Sequence, residues 1–313
     1  MKEKLFNTII ILISIYVLII LLIKKSIIYS SIIYALNLWV NNLIPALFPF
    51  FIISDILINY NITDYIPKII KKICKYIFNI TDNMLTIFLL SMISGFPSNA
   101  RNTRLLYDKG ELSLEEANHI LLFSHFSNPI FILTTVAVFF LHNERLGIPL
   151  LIIHYLSNFI LGFLFRNKFC YKKNSNNKVD NNIKRDFGNI FVNSIKRSID
   201  TILMICGIVL VFLLLSTIVV DTFNFNSYNT MIIKGLFEIT IGIEELSKLS
   251  LNYSYKLVIS SMILAFGGIS VHVQVFSQIA NTKIKYIYFF VGRMYQMIIS
   301  GILAFITSLF LGI

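Results

Sequence analysis

Charge is what this sequence has least of. Only 14% of its 313 residues are Asp, Glu, Lys or Arg, against 56% hydrophobic residues and a mean hydropathy of +0.76. A water-soluble domain carries about 25% charged residues because its surface faces water, so this chain is built for an apolar solvent. Cysteine is scarce as well. Cys74, Cys170 and Cys206 are odd in number, scattered, and lack the spacing of a metal or redox motif, which excludes a disulfide framework. His119, His125, His142, His154 and His272 are not spaced as metal ligands. The chain has no phosphate-binding Walker loop, which argues against direct drive by ATP. It has neither H-E-x-x-H nor G-x-S-x-G, so protease and hydrolase readings are weak. These absences imply no cofactor and favour a role other than catalysis.

What the chain does have is long apolar runs: 5–23, 202–220 and 286–311. About 20 apolar residues span a hydrocarbon core, and a helix satisfies its backbone there. The run 5–23 is too long for the 7–15-residue core of a signal peptide, and no A-x-A site follows it; we expect a retained span. The net charge of +11 does not point to nucleic acid. The basic residues sit in short loops, with Lys68, Lys71, Lys72 and Lys75 in one and Arg166 through Arg185 in another, as in cytoplasmic loops under the positive-inside tendency.

Several apolar stretches are interrupted. In 30–58 lie Asn37, Asn41, Asn42, Pro45 and Pro49, and proline in a spanning helix frees backbone groups that protein or water must satisfy. Residues 66–80 place Ile66, Ile69, Ile70, Ile73 and Ile77 on one face and lysines on the other, the pattern of an interfacial helix. The run 84–97 is too short to span and ends in Ser94-Gly95-Phe96-Pro97-Ser98-Asn99. That pattern predicts a re-entrant hairpin whose half-helix tip lies near mid-membrane. Residues 118–141 are broken at Asn128-Pro129, and 148–165 form another span. In the second half, 187–200 lead into a span at 201–220. A short segment, 231–250, is interrupted by Gly235 and Gly242 and carries Glu238, Glu244 and Glu245. The run 256–266 then meets Gly267-Gly268-Ile269-Ser270 before a last span.

Paired broken segments at corresponding positions of two halves are the best sequence pointer to a transporter's binding site. The fold class expected is therefore all-α: a polytopic membrane protein with two inverted-topology repeats, re-entrant helical hairpins and broken helices. Its parts are an N-terminal anchor span (1–30), a first transmembrane repeat (31–165), a cytoplasmic basic linker (166–186) and a second repeat (187–313). The tip 94–99 is paired with the tip 267–270. The lysine-rich 66–80 opposes the glutamate-bearing 231–250, as inverted halves require, while Lys24, Lys25, Lys283 and Lys285 run against this topology.

The blocks Leu43-Ile44-Pro45-Ala46-Leu47-Phe48-Pro49-Phe50, Ser94-Gly95-Phe96-Pro97-Ser98-Asn99-Ala100-Arg101, Leu106-Tyr107-Asp108-Lys109-Gly110-Glu111-Leu112-Ser113 and Ser127-Asn128-Pro129-Ile130-Phe131 resemble the YlbJ family of sporulation integral membrane proteins. Gly235 through Gly242 and Phe266-Gly267-Gly268-Ile269-Ser270 extend the resemblance into the second half. A more distant similarity is to nucleoside-recognition Gate domain proteins. One departure stands out: Asn99 occupies a position where the family pattern has Gly. The resemblance implies a multi-pass protein of the outer forespore membrane that moves dipicolinate, a pyridine dicarboxylate, during endospore formation.

The expected substrate-binding residues are Ser94, Gly95, Pro97, Ser98, Asn99, Arg101, Arg104, Asn128, Glu238, Gly267, Gly268, Ser270 and His272. Amides at a half-helix N-terminus attract anions, and an arginine beside them can pair with a carboxylate; alternatively Arg101 and Arg104 snorkel beside Asp108. His125 and Asn128 either line a cavity or serve as interhelical hydrogen-bond glue. Glu238 is either a proton-coupling carboxylate or an interfacial charge near Lys234. Arg293 either neutralises Glu238 or snorkels. The partners expected are a small-molecule anion and the lipid bilayer, not nucleic acid, with a homo-oligomer or other sporulation membrane proteins left open. A nucleoside-like solute and a non-transporting scaffold are the competing functions.

Overall fold

The computed structural model describes residues 2–169 and 186–311. The expected basic linker (166–186) and Cys170 fall largely or wholly outside the described residues. Among the described residues the chain is helical, with no strand. Six helical stretches are long and apolar enough to cross a membrane: Lys4–Ile23, Lys25–Asn59, Glu144–Leu164, Phe187–Phe223, Tyr253–Ile279 and Tyr286–Phe310.

Helix α1 (Lys2–Ile23) has no side chain buried by the rest of the protein along its apolar window, as expected of a helix whose solvent is lipid. Helices α2 (Lys25–Leu38) and α3 (Ile44–Asn59) are joined by a π-helical turn, Trp39–Leu43. Pro45 stands at the start of α3 and Pro49 inside it. The widened turn keeps Lys25–Asn59 a single crossing, where the prolines alone predict a break. Helix α4 (Lys68–Phe78) is the amphipathic segment, bent 93° from α5 (Asp82–Ser94). Its Ile69, Ile73 and Tyr76 are exposed, as in a helix lying along the interface.

Helix α5 does not cross. It turns back at Gly95-Phe96-Pro97 into α6 (Ser98–Asp108). Asn83, at the start of α5, donates to the Glu111 carbonyl just beyond α6 at 2.8 Å, so the two form an antiparallel hairpin. Helix α7 (Leu114–Phe123) then unwinds over 124–128 and resumes as the π-helical segment Phe131–Phe140. Helix α8 (Gly147–Leu164) returns. Its end lies beside the base of α5, where Asn79 donates to the Arg166 carbonyl at 3.1 Å.

The second half opens with α9 (Phe187–Phe223), 37 residues or about 55 Å at 1.5 Å per residue. It runs antiparallel to α2 and α3. Its start touches Asp55 through Ser194 and Arg197, and its end carries Asp221 against Lys24. Helices α10 (Ser227–Phe237) and α11 (Ile239–Lys248) form a second hairpin, because a Cβ on Gly242 would stand 2.2 Å from the Gly235 Cα. This corrects the expected pairing of tips. The counterpart of 94–99 in chain order is Glu238 at the tip of this hairpin, not 267–270. Gly267 instead breaks one continuous crossing between α12 (Tyr253–Phe266) and α13 (Gly268–Ile279), and α14 (Tyr286–Leu311) closes the chain.

The ion pairs orient the elements. Asp55, Arg101, Arg197 and the end of α13 share the face that holds the linker. Lys24, Asp221, Tyr34 and Glu244 share the far face. The first hairpin therefore opens toward the linker face, where Lys109 reaches Asn59, and the second toward the far face. Lys285 belongs to the linker face, since its amide donates to Asn118 at the start of α7; Lys283 lies in the same short loop and conforms with it. Lys24 remains on the far face, neutralised by Asp221.

The close approach of α10 and α11 yields a prediction. Gly242→Ala should lower stability by about 1–3 kcal/mol through overpacking, read as a lower melting temperature of the detergent-solubilised protein. Gly207→Ala, where a Cβ meets nothing within 4 Å, is the control and should melt no lower than wild type. Equal melting for both variants would show that the hairpin does not depend on this contact.

Candidate functional site: a cavity at four helix interruptions

An interrupted helix leaves N–H and C=O groups without partners, and in an apolar medium each orphan costs several kcal/mol. The tip of the first hairpin closes on itself, with the Ser98 amide donating to the Gly95 carbonyl at 2.9 Å and Ser94 Oγ to Ser98 Oγ at 2.6 Å. Gly95 has φ +76, and a Cβ there would stand 2.9 Å from Asn128, so only glycine permits the tip to rest on the unwound segment of the next crossing.

That segment is satisfied by side chains. Asn99 Nδ2 donates to the Ser124 carbonyl, which gives this residue a structural task. Asn158 Nδ2 and Arg293 Nη1 both donate to the His125 carbonyl, at 3.1 and 3.0 Å. The Ser127 amide donates to His154 Nε2 at 2.9 Å. Asn128 donates to the Ile93 carbonyl and accepts from the Ile130 amide, bridging the hairpin and the break.

The second hairpin uses a carboxylate where the first uses Gly and Pro. Glu238, extended between α10 and α11, caps α11 by accepting from the Thr240 amide at 2.6 Å, the Ile241 amide and the Thr240 hydroxyl. Such a cap supplies an acceptor to a helix N-terminus, whose dipole favours negative charge. Gly268, at φ +65, lies against this tip, and a Cβ on it would stand 3.1 Å from the Phe237 carbonyl oxygen. Each hairpin tip thus rests on the break of the crossing that follows it.

Between the two tips lies a cavity of about 50 Å³, room for a water or two and far below the roughly 300–1,000 Å³ of a ligand pocket. Ser127, Asn128, Glu238, Thr240 and Gln274 supply its polar wall, and Leu43, Phe96, Phe131, Ile239 and side chains of α3, α9 and α13 the rest. Of the residues expected from sequence, Asn128 and Glu238 line it. Ser94, Pro97, Ser98 and Asn99 build the first tip, while Gly267 and Gly268 build the second break. Ser270 is fully buried on α13. His272 lies behind the cavity, with Nδ1 at 2.6 Å from the Tyr286 hydroxyl and Nε2 at 3.1 Å from the Phe266 carbonyl. His125 packs on Phe96 and Phe289. Gln274, on α13 after the second break, is a further polar lining residue.

Arg101 and Arg104 are not in the cavity. Arg101 pairs with Asp55 at 3.1 Å, and Arg104 holds Asp108 and the carbonyls of Gln278 and Ala280. Both line a separate crevice of about 570 Å³ on the linker face. Asp55 passed unnoticed in the sequence because its partners lie 46 and 142 positions away. Arg293 neither neutralises Glu238 nor snorkels: it is fully buried, with Nη1 on the His125 carbonyl, Nη2 on Asn158 at 3.1 Å, and the Ala265 carbonyl at 3.4 Å. It lies at the C-terminal ends of α7 and α12, where a cation suits the helix dipole.

This arrangement, two opposed hairpins and two broken crossings around one cavity, is that of a polytopic helical membrane protein with the discontinuous helices that transporters also use. The Gate family, described as "Nucleoside recognition", matches residues 40–144, which hold the first hairpin and the first broken crossing. The chain is similar to the sporulation integral membrane protein YlbJ of Bacillus subtilis (strain 168), 28% identical over an alignment of 303 positions that covers 85% of this chain and 74% of that protein. No solved structure matches the chain.

Arg293→Lys gives a test of the site's frame. A single ammonium cannot reach both the His125 carbonyl and the Asn158 side chain in the planar geometry of a guanidinium. A buried acceptor left unpaired costs about 1–3 kcal/mol, so the variant should melt measurably lower than wild type. An unchanged melting temperature would show that the breaks do not rest on Arg293.

Proposed function

We propose that the chain is a sporulation membrane transporter that carries a small polar anionic solute, dipicolinate, across the outer forespore membrane, with the linker face toward the mother cell. The observation that carries this reading is the cavity between Asn128 and Glu238 at the meeting of four interruptions, where discontinuous-helix carriers hold their solute. The halves 31–165 and 187–313 act as repeats related by a pseudo-two-fold axis. Their matching order of long crossing, hairpin, broken crossing and closing crossing supports this, as do hairpins that open toward opposite faces. The similarity to YlbJ supports the sporulation setting, and the basic residues of α4 and 166–186 support the orientation.

A dicarboxylate beside Glu238 places like charges together at low dielectric, which is strongly unfavourable unless one carboxyl is protonated. Glu238 therefore carries a proton whenever the solute occupies the cavity, and the carrier moves solute and proton together. A second reading has its own support: Asn128, Thr240, Gln274 and Glu238 offer hydrogen-bond partners and no cation, which suits a neutral nucleoside-like solute as well.

Purified protein in vesicles distinguishes these. Labelled dipicolinate should accumulate against its gradient when the outer face is made acidic. Glu238→Gln should retain exchange of labelled for unlabelled dipicolinate but lose the acid-driven accumulation. Loss of both, or neither, would overturn the assignment of Glu238. Uptake of a nucleoside with no uptake of dipicolinate would establish the second reading.

A further inference from the structure

The cavity and the linker-face crevice are lined by the same four elements at successive positions. On α3, Leu47 lines the cavity and Asp55 the crevice; on α9, Ile205 and Arg197 do the same; on α13, Gln274 and Gln278; on the first hairpin, Phe96 and Arg101. Leu47 and Asp55 are eight residues apart, about 12 Å along a helix. The crevice thus lies outward of the cavity along the same four elements. Between Leu47 and Asp55 on α3, one turn from each, stands Phe51, fully buried, with the Arg101 guanidinium 5.7 Å from its ring centre.

Asp55 is 1% exposed, and its carboxylate is gripped from two other elements. Oδ1 accepts from Arg101 Nη2 at 3.1 Å, while Oδ2 accepts from Ser194 Oγ at 2.8 Å and lies 3.5 Å from Arg197 Nη1. Two guanidinium groups and a hydroxyl converging on one carboxylate make a carboxylate-recognition geometry, here filled from within the chain. Arg101 is buried, whereas Arg197 is 46% exposed to the crevice, so an arriving anion meets Arg197 first. At about 570 Å³ the crevice has the size of a ligand pocket.

We propose that Arg101, Arg197 and Ser194 form a carboxylate-binding subsite at the mouth of a path to the cavity, that Asp55 occupies it in the closed protein, and that a solute carboxylate replaces Asp55 there. Replacement separates α3 from the first hairpin and α9, lifts Phe51 out of the path and admits the solute to the cavity. The inference rests on the transporter reading but not on dipicolinate as the solute. It makes the mouth selective for carboxylates, whatever the cavity accepts afterwards.

The test places a cysteine at Leu47 in a chain with Cys74, Cys170 and Cys206 replaced by serine. The rate of labelling by a membrane-impermeant thiol reagent is then measured from the linker face. Asp55→Asn should raise that rate at least tenfold without solute. In the Asp55 protein, millimolar dipicolinate, isophthalate or succinate should raise it severalfold, and Arg197→Gln should abolish this response. Arg197→Gln removes a half-exposed side chain and leaves the buried Asp55–Arg101 pair intact, so it serves even where Asp55→Asn fails to fold. Labelling of a folded Asp55→Asn at the wild-type rate would overturn the latch. Indifference of the Asp55 protein to all three dicarboxylates, or an undiminished response in Arg197→Gln, would overturn the subsite. Acceleration by isophthalate or succinate with no transport of dipicolinate would leave the subsite standing and remove dipicolinate from the proposed function.

Discussion

Everything in this structure follows from one requirement: peptide groups at the helix interruptions must find partners where lipid offers none. Gly95-Phe96-Pro97, the unwound 124–128, Glu238 and Gly267 all leave groups that a continuous helix would satisfy. The polar residues within the apolar body are placed accordingly. Asn99, Asn158 and Arg293 serve carbonyls of the unwound segment, His154 serves its amide, Asn128 serves both sides of a break, and Glu238 serves the amides of α11. Their first task is structural. The cavity exists because four such interruptions meet, and its polar wall is what remains of their side chains after the backbone has been served.

This explains what the sequence shows readily and what it hides. Interruptions made by backbone chemistry are visible: Gly95 with Pro97, Asn128-Pro129, and Gly267-Gly268 all mark real breaks. The tip of the second hairpin carries no Gly or Pro. Its turn is made by a carboxylate that caps the next helix, and a lone Glu in an apolar run reads as a functional charge. Gly235 and Gly242 look like interruptions, yet both are helical and act as the close-packing surface between α10 and α11. Hence the sequence pairs the tip 94–99 with 267–270, whereas the second helical hairpin turns at Glu238. The helical class and the apolar crossings depend on local composition and are legible. Which tip faces which break depends on contacts between distant segments and is not.

Asp55 and Arg293 mark the same limit from another side. An Arg in a spanning helix suggests a carboxylate partner, because a buried charge is costly alone. Arg293 has no carboxylate among the contacts described, and is held instead by carbonyls at two helix ends, which no residue spacing announces. Asp55 does have its arginines, but on the first hairpin and on α9, and nothing near Ser54-Asp55 in sequence points to either.

The placement of charge then bears on movement. The first hairpin is tied to α3 by Arg101 and to the end of α13 by Arg104, both toward the linker face. The second hairpin is tied within itself by Lys234 and Glu245, and to α2 by Glu244 and Tyr34, toward the far face. Polar ties therefore sit toward the two ends, with Phe51 and the Asp55 cluster at successive turns of α3 on the linker side of Leu47. Arg104 and Arg197 are partly exposed, so their ion pairs exchange with water or solute at modest cost, whereas the buried Arg101–Asp55 pair gives way only to a group that replaces the carboxylate. The hydrogen bonds that hold the interruptions have no such substitute in lipid. A hairpin can thus pivot at its outer ties while its tip keeps its partners. Ties that a solute can replace thus sit at the ends, and those that nothing in lipid can replace sit at the cavity.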